Sequence, residues 1–178
     1  MSSYHTKFVV RTAVLLALCV AVQQFKSVSQ FITGPLVNLI LILAVLAVGL
    51  WGGVAIAVLS PLMAALISPA PVMKLVPQMV PLIMVGNLVL VVCIHLLREK
   101  KLWMGLALGT LLKPAALALG VQLVVLPFFG TALNDMQRAM VTAMFSYNQV
   151  ITAAIASVIC LLVWPRLHKV PGFALQKA

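Results

Sequence analysis

Residues 35–68 form an apolar run of 34 residues that contains no charged side chain. As one helix this run would be about 50 Å long at 1.5 Å per residue, much longer than the roughly 30 Å hydrocarbon core of a bilayer. The sequence GLWGG at 49–53 interrupts the run near its middle. We therefore predict two short membrane helices that are joined by a tight connection.

The same apolar character extends over the whole chain. Hydrophobic residues make up 64% of the sequence and charged residues only 8%, whereas soluble domains are about 25% charged. This composition predicts an all-α integral membrane protein, a six-transmembrane-helix bundle formed by a single membrane domain, 1–178. The predicted helices cover about 8–24, 35–50, 53–67, 77–97, 102–126 and 139–165.

The distribution of basic residues predicts the orientation in the membrane. Six crossings place both termini on the same side, and that side would carry eight lysines and arginines against three on the other. The eight are Lys7, Arg11, Arg98, Lys100, Lys101, Arg166, Lys169 and Lys177, and the three are Lys26, Lys74 and Arg138. By the positive-inside rule both termini are cytoplasmic. Because this rule also explains the net charge of +10, we expect no nucleic-acid partner.

Several classes of function lack the residues that they need. The sequence has no Walker A motif for ATP hydrolysis, and its only acidic residues, Glu99 and Asp135, leave a proton or sodium relay without a carboxylate at membrane depth. It has no Ser/His/Asp or HExxH constellation and no metal-ligand cluster. We predict a binding subunit, not an enzyme, without a cofactor or a metal, that takes its energy from other proteins.

Lys113 is the one charged residue in the middle of a predicted membrane helix. It lies in GTLLKPAALALG at 109–120, where Gly109, Ala116 and Gly120 share its helix face. A charged side chain at the centre of a bilayer costs about 3 kcal/mol or more, so it needs a partner or a role. We predict that Lys113 points into the bundle, and that Pro114 bends the helix there.

Asparagine and glutamine side chains lie at depths related to that of Lys113. Counted from the predicted inner helix ends at about 1.5 Å per residue, Asn87 lies about 15 Å deep, Lys113 about 16 Å, Asn38 about 18 Å, and Asn148 and Gln149 about 23 Å. Hydrogen bonding between helices, such as Asn87 to Lys113, is the alternative to ligand binding. The candidate substrate-binding residues are Lys113, Asn87, Asn38, Asn148, Gln149 and Tyr147.

The first predicted helix carries small residues at every fourth position, Ala13, Ala17 and Ala21. These alanines share one face, and small residues let a second helix approach closely in lipid. They are therefore candidates for docking a partner, although alanine is common in any membrane helix.

Together these features resemble the S components of energy-coupling factor (ECF) transporters. The resemblance rests on the alanine stripe, the hairpin GPLVNLILILAVLAVGLWGGVAIAVLSPLMAALI, the segment VPLIMVGNLVLVV and the Gly-x-x-x-Lys helix, in this order. It implies that the chain captures a micronutrient, usually a vitamin, from outside the plasma membrane of a prokaryote. It also implies docking through Ala13, Ala17 and Ala21 onto a transmembrane coupling subunit that carries two cytoplasmic ATPases. The implied substrate region comprises the outer loops and the outer halves of helices 4 to 6.

The substrate is less strongly indicated than the family. The chain begins Met-Ser-Ser-Tyr, whereas the metal-binding relatives begin Met-His, and no buried acid is present to hold cationic thiamin. The number of amide side chains favours cobalamin as first choice. Lys113 would suit pantothenate, folate or riboflavin, and a pyrimidine precursor is a further alternative. A solitary secondary transporter and a structural membrane subunit are the alternatives outside this family.

Overall fold

We analysed a computed structural model, which describes residues 3–25, 29–67, 73–74, 76–99 and 101–170. The helices are α1 (Ser3–Gln24), α2 (Gln30–Ala47), α3 (Leu50–Ile67), α4 (Met79–Leu97), α5 (Leu102–Gly120), α6 (Asp135–Met144) and α7 (Tyr147–Leu167). After α5 the chain continues through a π-helical turn (Val121–Val125), one α-helical turn (Leu126–Phe129) and a 3-10 turn (Gly130–Ala132).

In the part of the chain that the structure describes, six stretches are long and apolar enough to cross a membrane. They are α1 from His5, the whole of α2, α3 and α4, and the two longer stretches Leu102–Phe129 and Asp135–Leu167. Within the residues that the structure describes there is no strand. The predicted all-α bundle of six transmembrane helices is confirmed.

The connection between α2 and α3 is shorter than predicted. Only Val48 and Gly49 separate the two helices, because α3 already begins at Leu50, inside the predicted break at 49–53. Gly49 has a φ of 107°, in the left-handed region that glycine adopts at low cost. Its N–H donates back to the carbonyls of Ala44 and Val45, at 3.2 and 3.1 Å. One glycine thus ends α2 and reverses the chain.

The last predicted helix, 139–165, is in fact two helices. It starts earlier, at Asp135, and is broken at Phe145 and Ser146 between α6 and α7. Ser146 Oγ donates to the carbonyl of Thr142 at 2.6 Å, one of the carbonyls that the end of α6 leaves free. Neither residue of the break is glycine or proline, so the pattern used for the prediction did not indicate it.

Two apolar clusters fill the bundle. The Gly49-side core includes Leu41, Val45, Ile56, Leu90, Ile94 and Leu106. The loop-side core, at the opposite end, comprises Val76, Met79, Leu117, Val121, Val125, Leu133, Val141 and Phe145. Val76 and Leu133 belong to connections between helices, so the loop-side core is partly closed by segments outside the transmembrane helices.

Two arginines lie at the Gly49 end. Arg11 Nη1 donates to the carbonyl of Ala47 at 3.4 Å, and Arg98 Nη1 donates to that of Val45 at 3.2 Å. Cations near the last carbonyls of a helix interact favourably with its dipole, so this basic end also stabilises the end of α2. Three of the basic residues used to predict the orientation, Lys26, Lys100 and Lys177, lie outside the described residues.

Candidate functional site

Lys113 lies inside the bundle, between two asparagines of other helices. Its Nζ donates to Asn38 Oδ1 on α2 at 2.5 Å and to Asn87 Oδ1 on α4 at 2.8 Å. Only 3% of Lys113 and 2% of each asparagine are exposed. The structure therefore brings together three of the candidate residues, which are 26 and 75 positions apart along the chain.

The amide nitrogens of the two asparagines extend the hydrogen bonds to two more helices. Asn38 Nδ2 donates to Thr152 Oγ1 on α7 at 3.5 Å, and Asn87 Nδ2 donates to the carbonyl of Ala57 on α3 at 3.4 Å. We call Asn38, Asn87, Lys113 and Thr152 the polar layer. It links every membrane-spanning helix except α1, which is consistent with the tendency of polar groups in lipid to pair across helices.

The polar layer separates the two apolar cores. On α5, Leu106 lies in the Gly49-side core and Leu117 lies in the loop-side core, with Lys113 between them. On the Gly49 side of Lys113, Thr110 of α5 forms a hydrogen bond with Ser157 of α7, with 2.9 Å between the two hydroxyl oxygens. Lys113, Asn38 and Asn87 therefore lie at the inner end of the loop-side core.

The ammonium of Lys113 has no acidic partner within the bundle. The chain's only two acids lie elsewhere: Glu99 is 82% exposed and pairs with Arg98 at 3.8 Å, and Asp135 lies in the first turn of α6. The amide oxygens of Asn38 and Asn87 solvate the cation with dipoles and add no negative charge. A buried charge without a counter-ion is costly, so this arrangement is atypical of a purely structural core.

Two irregular backbone segments lie beside the loop-side core. The π-helical turn follows α5 directly, and the break at Phe145–Ser146 separates α6 from α7. Gln122 of the π turn donates to Thr142 Oγ1 at 3.3 Å, so the π turn contacts α6 one turn before the break. Irregular backbone at membrane depth occurs where it is buried in protein or lines a cavity, and π turns are frequent at functional sites.

A family model described as "ECF transporter, substrate-specific component" matches residues 7–167, which reach from α1 to the end of α7. The chain belongs to this family. It is thus a substrate-specific component of an ECF transporter, a transport subunit, and the resemblance seen in the sequence is confirmed. No curated protein matches the chain, and no solved structure matches it either.

In this ECF component the remaining candidate residues lie in the first turn of α7. Gln149 Nε2 donates to the carbonyl of Met144 at 3.3 Å, and Gln30 Nε2 donates to the same carbonyl at 3.4 Å. Asn148 Oδ1 is buried and lacks a hydrogen-bond partner among the described residues, whereas Tyr147 is 60% exposed. A substrate-binding role stays a prediction for all six candidates.

Thr152 is a member of the polar layer that the sequence did not single out. Its hydroxyl accepts from Asn38 and donates to the carbonyl of Gln149 at 3.2 Å, so it connects the polar layer with the first turn of α7. The only sequence signal was a threonine one turn beyond two amides, which is too common in membrane helices to be distinctive.

The alanines of the predicted docking stripe are exposed. Ala13, Ala17 and Ala21 lie on the outer face of α1, opposite Cys19, which is fully buried. Only 6% of the apolar span of α1 is buried inside the bundle, against 56% for α2. The ECF component therefore presents its small-residue face outward, where a second helix could reach it.

One groove on the outer surface follows the contact between α4 and α5. Its lining is entirely apolar and includes Val85, Leu88, Val92, Leu108 and Leu112. A vitamin site needs a few polar groups that orient the ligand, so this groove is a poor candidate for substrate binding.

Proposed function

We propose that this chain captures a vitamin from the loop side of its bundle and delivers it together with an ECF coupling subunit and two cytoplasmic ATPases. The observation that supports the proposal best is the polar layer, a buried cationic group at the base of an apolar core that is bordered by irregular backbone. Membership in the family supports the role in transport, and the polar layer supports the location of the substrate site.

In this proposal the substrate site lies in the loop-side half of the bundle. Lys113, Asn38 and Asn87 form its floor, and Asn148, Gln149 and Tyr147 of α7 contribute to its wall. The break at Phe145–Ser146 supports this placement, because irregular backbone at membrane depth is tolerated where it is buried in protein or lines a cavity.

The proposed orientation directs the loop side away from the cell. The Gly49 end carries Arg11, Arg98 and Lys101, together with Arg166 and Lys169 at the end of α7, so the positive-inside rule favours a cytoplasmic location for it and for both termini. The protein then resides in the plasma membrane of a prokaryote, and the substrate arrives at the loop-side core from outside.

Fewer amide side chains are available to bind a vitamin than the sequence indicated. Cobalamin was favoured by the number of amides, but Asn38 and Asn87 are engaged with Lys113, and Gln149 with the carbonyl of Met144. Pantothenate, folate, riboflavin and a pyrimidine precursor are the alternatives. Mass spectrometry of the small molecule that co-purifies with the chain decides among them, with cobalamin as the first compound to look for.

Substitutions on the exposed face of α1 test whether the coupling subunit docks there. Because Ala17 is exposed, Ala17→Leu should leave the fold and ligand binding intact and should abolish co-purification with the coupling subunit and its ATPases. Ala107→Leu is the matched control, since Ala107 is an exposed alanine on α5.

Two results would contradict the proposal. If Ala17→Leu forms the complex as well as the unaltered chain does, the docking surface lies elsewhere. If the unaltered chain transports substrate alone into liposomes without ATP, the chain is a solitary transporter.

A further inference from the structure

The ammonium of Lys113 is only partly satisfied by the protein. A lysine ammonium has three donors, and two of them go to Asn38 Oδ1 and Asn87 Oδ1. The structure gives no acceptor for the third among the described residues. Both asparagines already use their amide nitrogens, toward Thr152 and the carbonyl of Ala57, so each directs its oxygen at the lysine.

No acidic side chain of the protein lies beside the amino group of Lys113. The whole sequence contains Glu99 and Asp135 as its only acidic side chains, one at the Gly49 end and the other at the start of α6. A desolvated cation that meets only neutral dipoles is a strong attractor for an anion, because the Coulomb interaction grows as the local dielectric constant falls.

The loop-side core begins one turn beyond Lys113 on α5, at Leu117. All eight buried residues of the loop-side core have apolar side chains, among them Met79, Leu117, Val121 and Phe145. Two others, Val76 and Leu133, belong to connections and not to membrane helices. A ligand that replaces these side chains would meet hydrocarbon along its length and one cation at its inner end.

We infer that the substrate is a compact molecule with one carboxylate and an apolar body, whose carboxylate binds Lys113 Nζ. The inference rests on the proposed function, and it favours the carboxylate-bearing alternatives over cobalamin. A neutral, amide-rich ligand fits less well, because it would leave the ammonium of Lys113 without an anion.

The first test compares acids with neutral analogues of the same body. Isothermal titration of the full chain in lipid nanodiscs uses pantothenate with panthenol, biotin with biotinamide and lipoate with lipoamide, and cobalamin as the amide-rich reference. We expect one acid to bind more tightly than its neutral analogue by about tenfold or more, since that ratio corresponds to about 1.4 kcal/mol. Equal affinity within every pair, binding of cobalamin alone, or no binding of any acid would overturn the inference.

The second test places a carboxylate of the protein beside Lys113. Asn38→Asp preserves size and lets the Thr152 hydroxyl turn to donate to the new carboxylate, whereas an acid at position 87 would face the carbonyl of Ala57. Because the new carboxylate neutralises the charge of Lys113, the Asn38→Asp protein should bind the acid about tenfold or more weakly than the unaltered chain does. The melting temperature of the ligand-free protein should rise.

Asn134→Asp is the matched control for the second test. Asn134 Oδ1 caps α6 by accepting from the N–H of Gln137, and aspartate caps a helix equally well, so this variant adds the same charge away from Lys113. An Asn38→Asp protein that binds the acid as tightly as the Asn134→Asp protein would show that the carboxylate does not meet Lys113.

The outcomes separate the inference from the proposed function. If the unaltered chain forms its complex with the coupling subunit and ATPases but prefers no acid, only the substrate class is wrong. If the chain forms no such complex and yet binds an acid through Lys113, the site exists and the proposed delivery does not.

Discussion

The two apolar cores of the bundle are built in different ways. The Gly49-side core is formed by regular helices that meet at close range, and it draws mainly on α2, α3, α4 and the start of α5. The loop-side core combines the ends of helices with a π turn and with residues of two connections. Regular helices with close contacts make a rigid scaffold, whereas irregular segments can rearrange at lower cost. The Gly49-side half is therefore the regular part of the bundle, and the proposed substrate site lies in the irregular half.

The largest effect on stability is expected in the polar layer, which lies between the two cores. Asn87→Leu removes one acceptor from the buried ammonium of Lys113, and we expect a loss of about 3 kcal/mol in the free energy of unfolding. Thermal unfolding in detergent measures the effect. In the Lys113→Met background the same substitution should cost much less, because no charge is left unpaired. Equal costs in both backgrounds would mean that the lysine and the asparagine are not coupled.

The packing of the Gly49-side half predicts the second largest effect. A Cβ added at Gly105 would lie 3.1 Å from the carbonyl oxygen of Cys93 and 3.4 Å from Cα of Ile94, and these are backbone atoms that cannot turn aside. Gly105→Ala should therefore destabilise the protein by about 2 kcal/mol by forcing α4 and α5 apart.

Gly130 in the loop-side half is the matched comparison for Gly105. The atom nearest to a Cβ there is 3.5 Å away, an ordinary contact, so Gly130→Ala should change stability by no more than about 0.5 kcal/mol. Thermal unfolding of both variants measures the difference. If Gly130→Ala proves as harmful as Gly105→Ala, the backbone contacts at Gly105 do not decide the cost.

The smallest effect is expected at the turn that closes the Gly49 end. No other atom lies within 4 Å of a Cβ added at Gly49, so any cost of Gly49→Ala arises from its φ of 107° alone. We expect about 1 kcal/mol, the cost of a left-handed conformation for a residue with a Cβ. An unchanged melting temperature would mean that the turn relaxes freely, and that the Gly49 end is not the more rigid end of the bundle.

Much of the fold follows from local sequence patterns. The six apolar segments, the glycine between α2 and α3 and the inward direction of Lys113 were all predicted, because span length, glycine and an intramembrane charge act through short-range physics. The break at Phe145–Ser146 was not predicted. Neither residue carries a local signal for it, and the hydrogen bond from Ser146 Oγ to the carbonyl of Thr142 is made only once the chain is folded.

The candidate site shows the same division. Depth along the helices correctly indicated that Asn38, Asn87 and Lys113 lie near one level, since a helix rises regularly with residue number. Depth carries no information on which faces of the helices meet. The hydrogen bond of Lys113 to Asn87 was named as an alternative from the sequence, and the structure contains it. The contact of Lys113 with Asn38 and the participation of Thr152 came only from the packing of α2, α5 and α7.

The sequence by itself determined that this chain is a membrane bundle with a cation in its interior and no acid to match it, because composition and segment length do not depend on packing. It also carried the order of features typical of its family. Only the tertiary structure decided that the interior cation rests on two amide oxygens between a regular core and an irregular one. The physical reason is that hydrogen bonds between helices join residues far apart in the chain, and their partners are chosen when the helices pack.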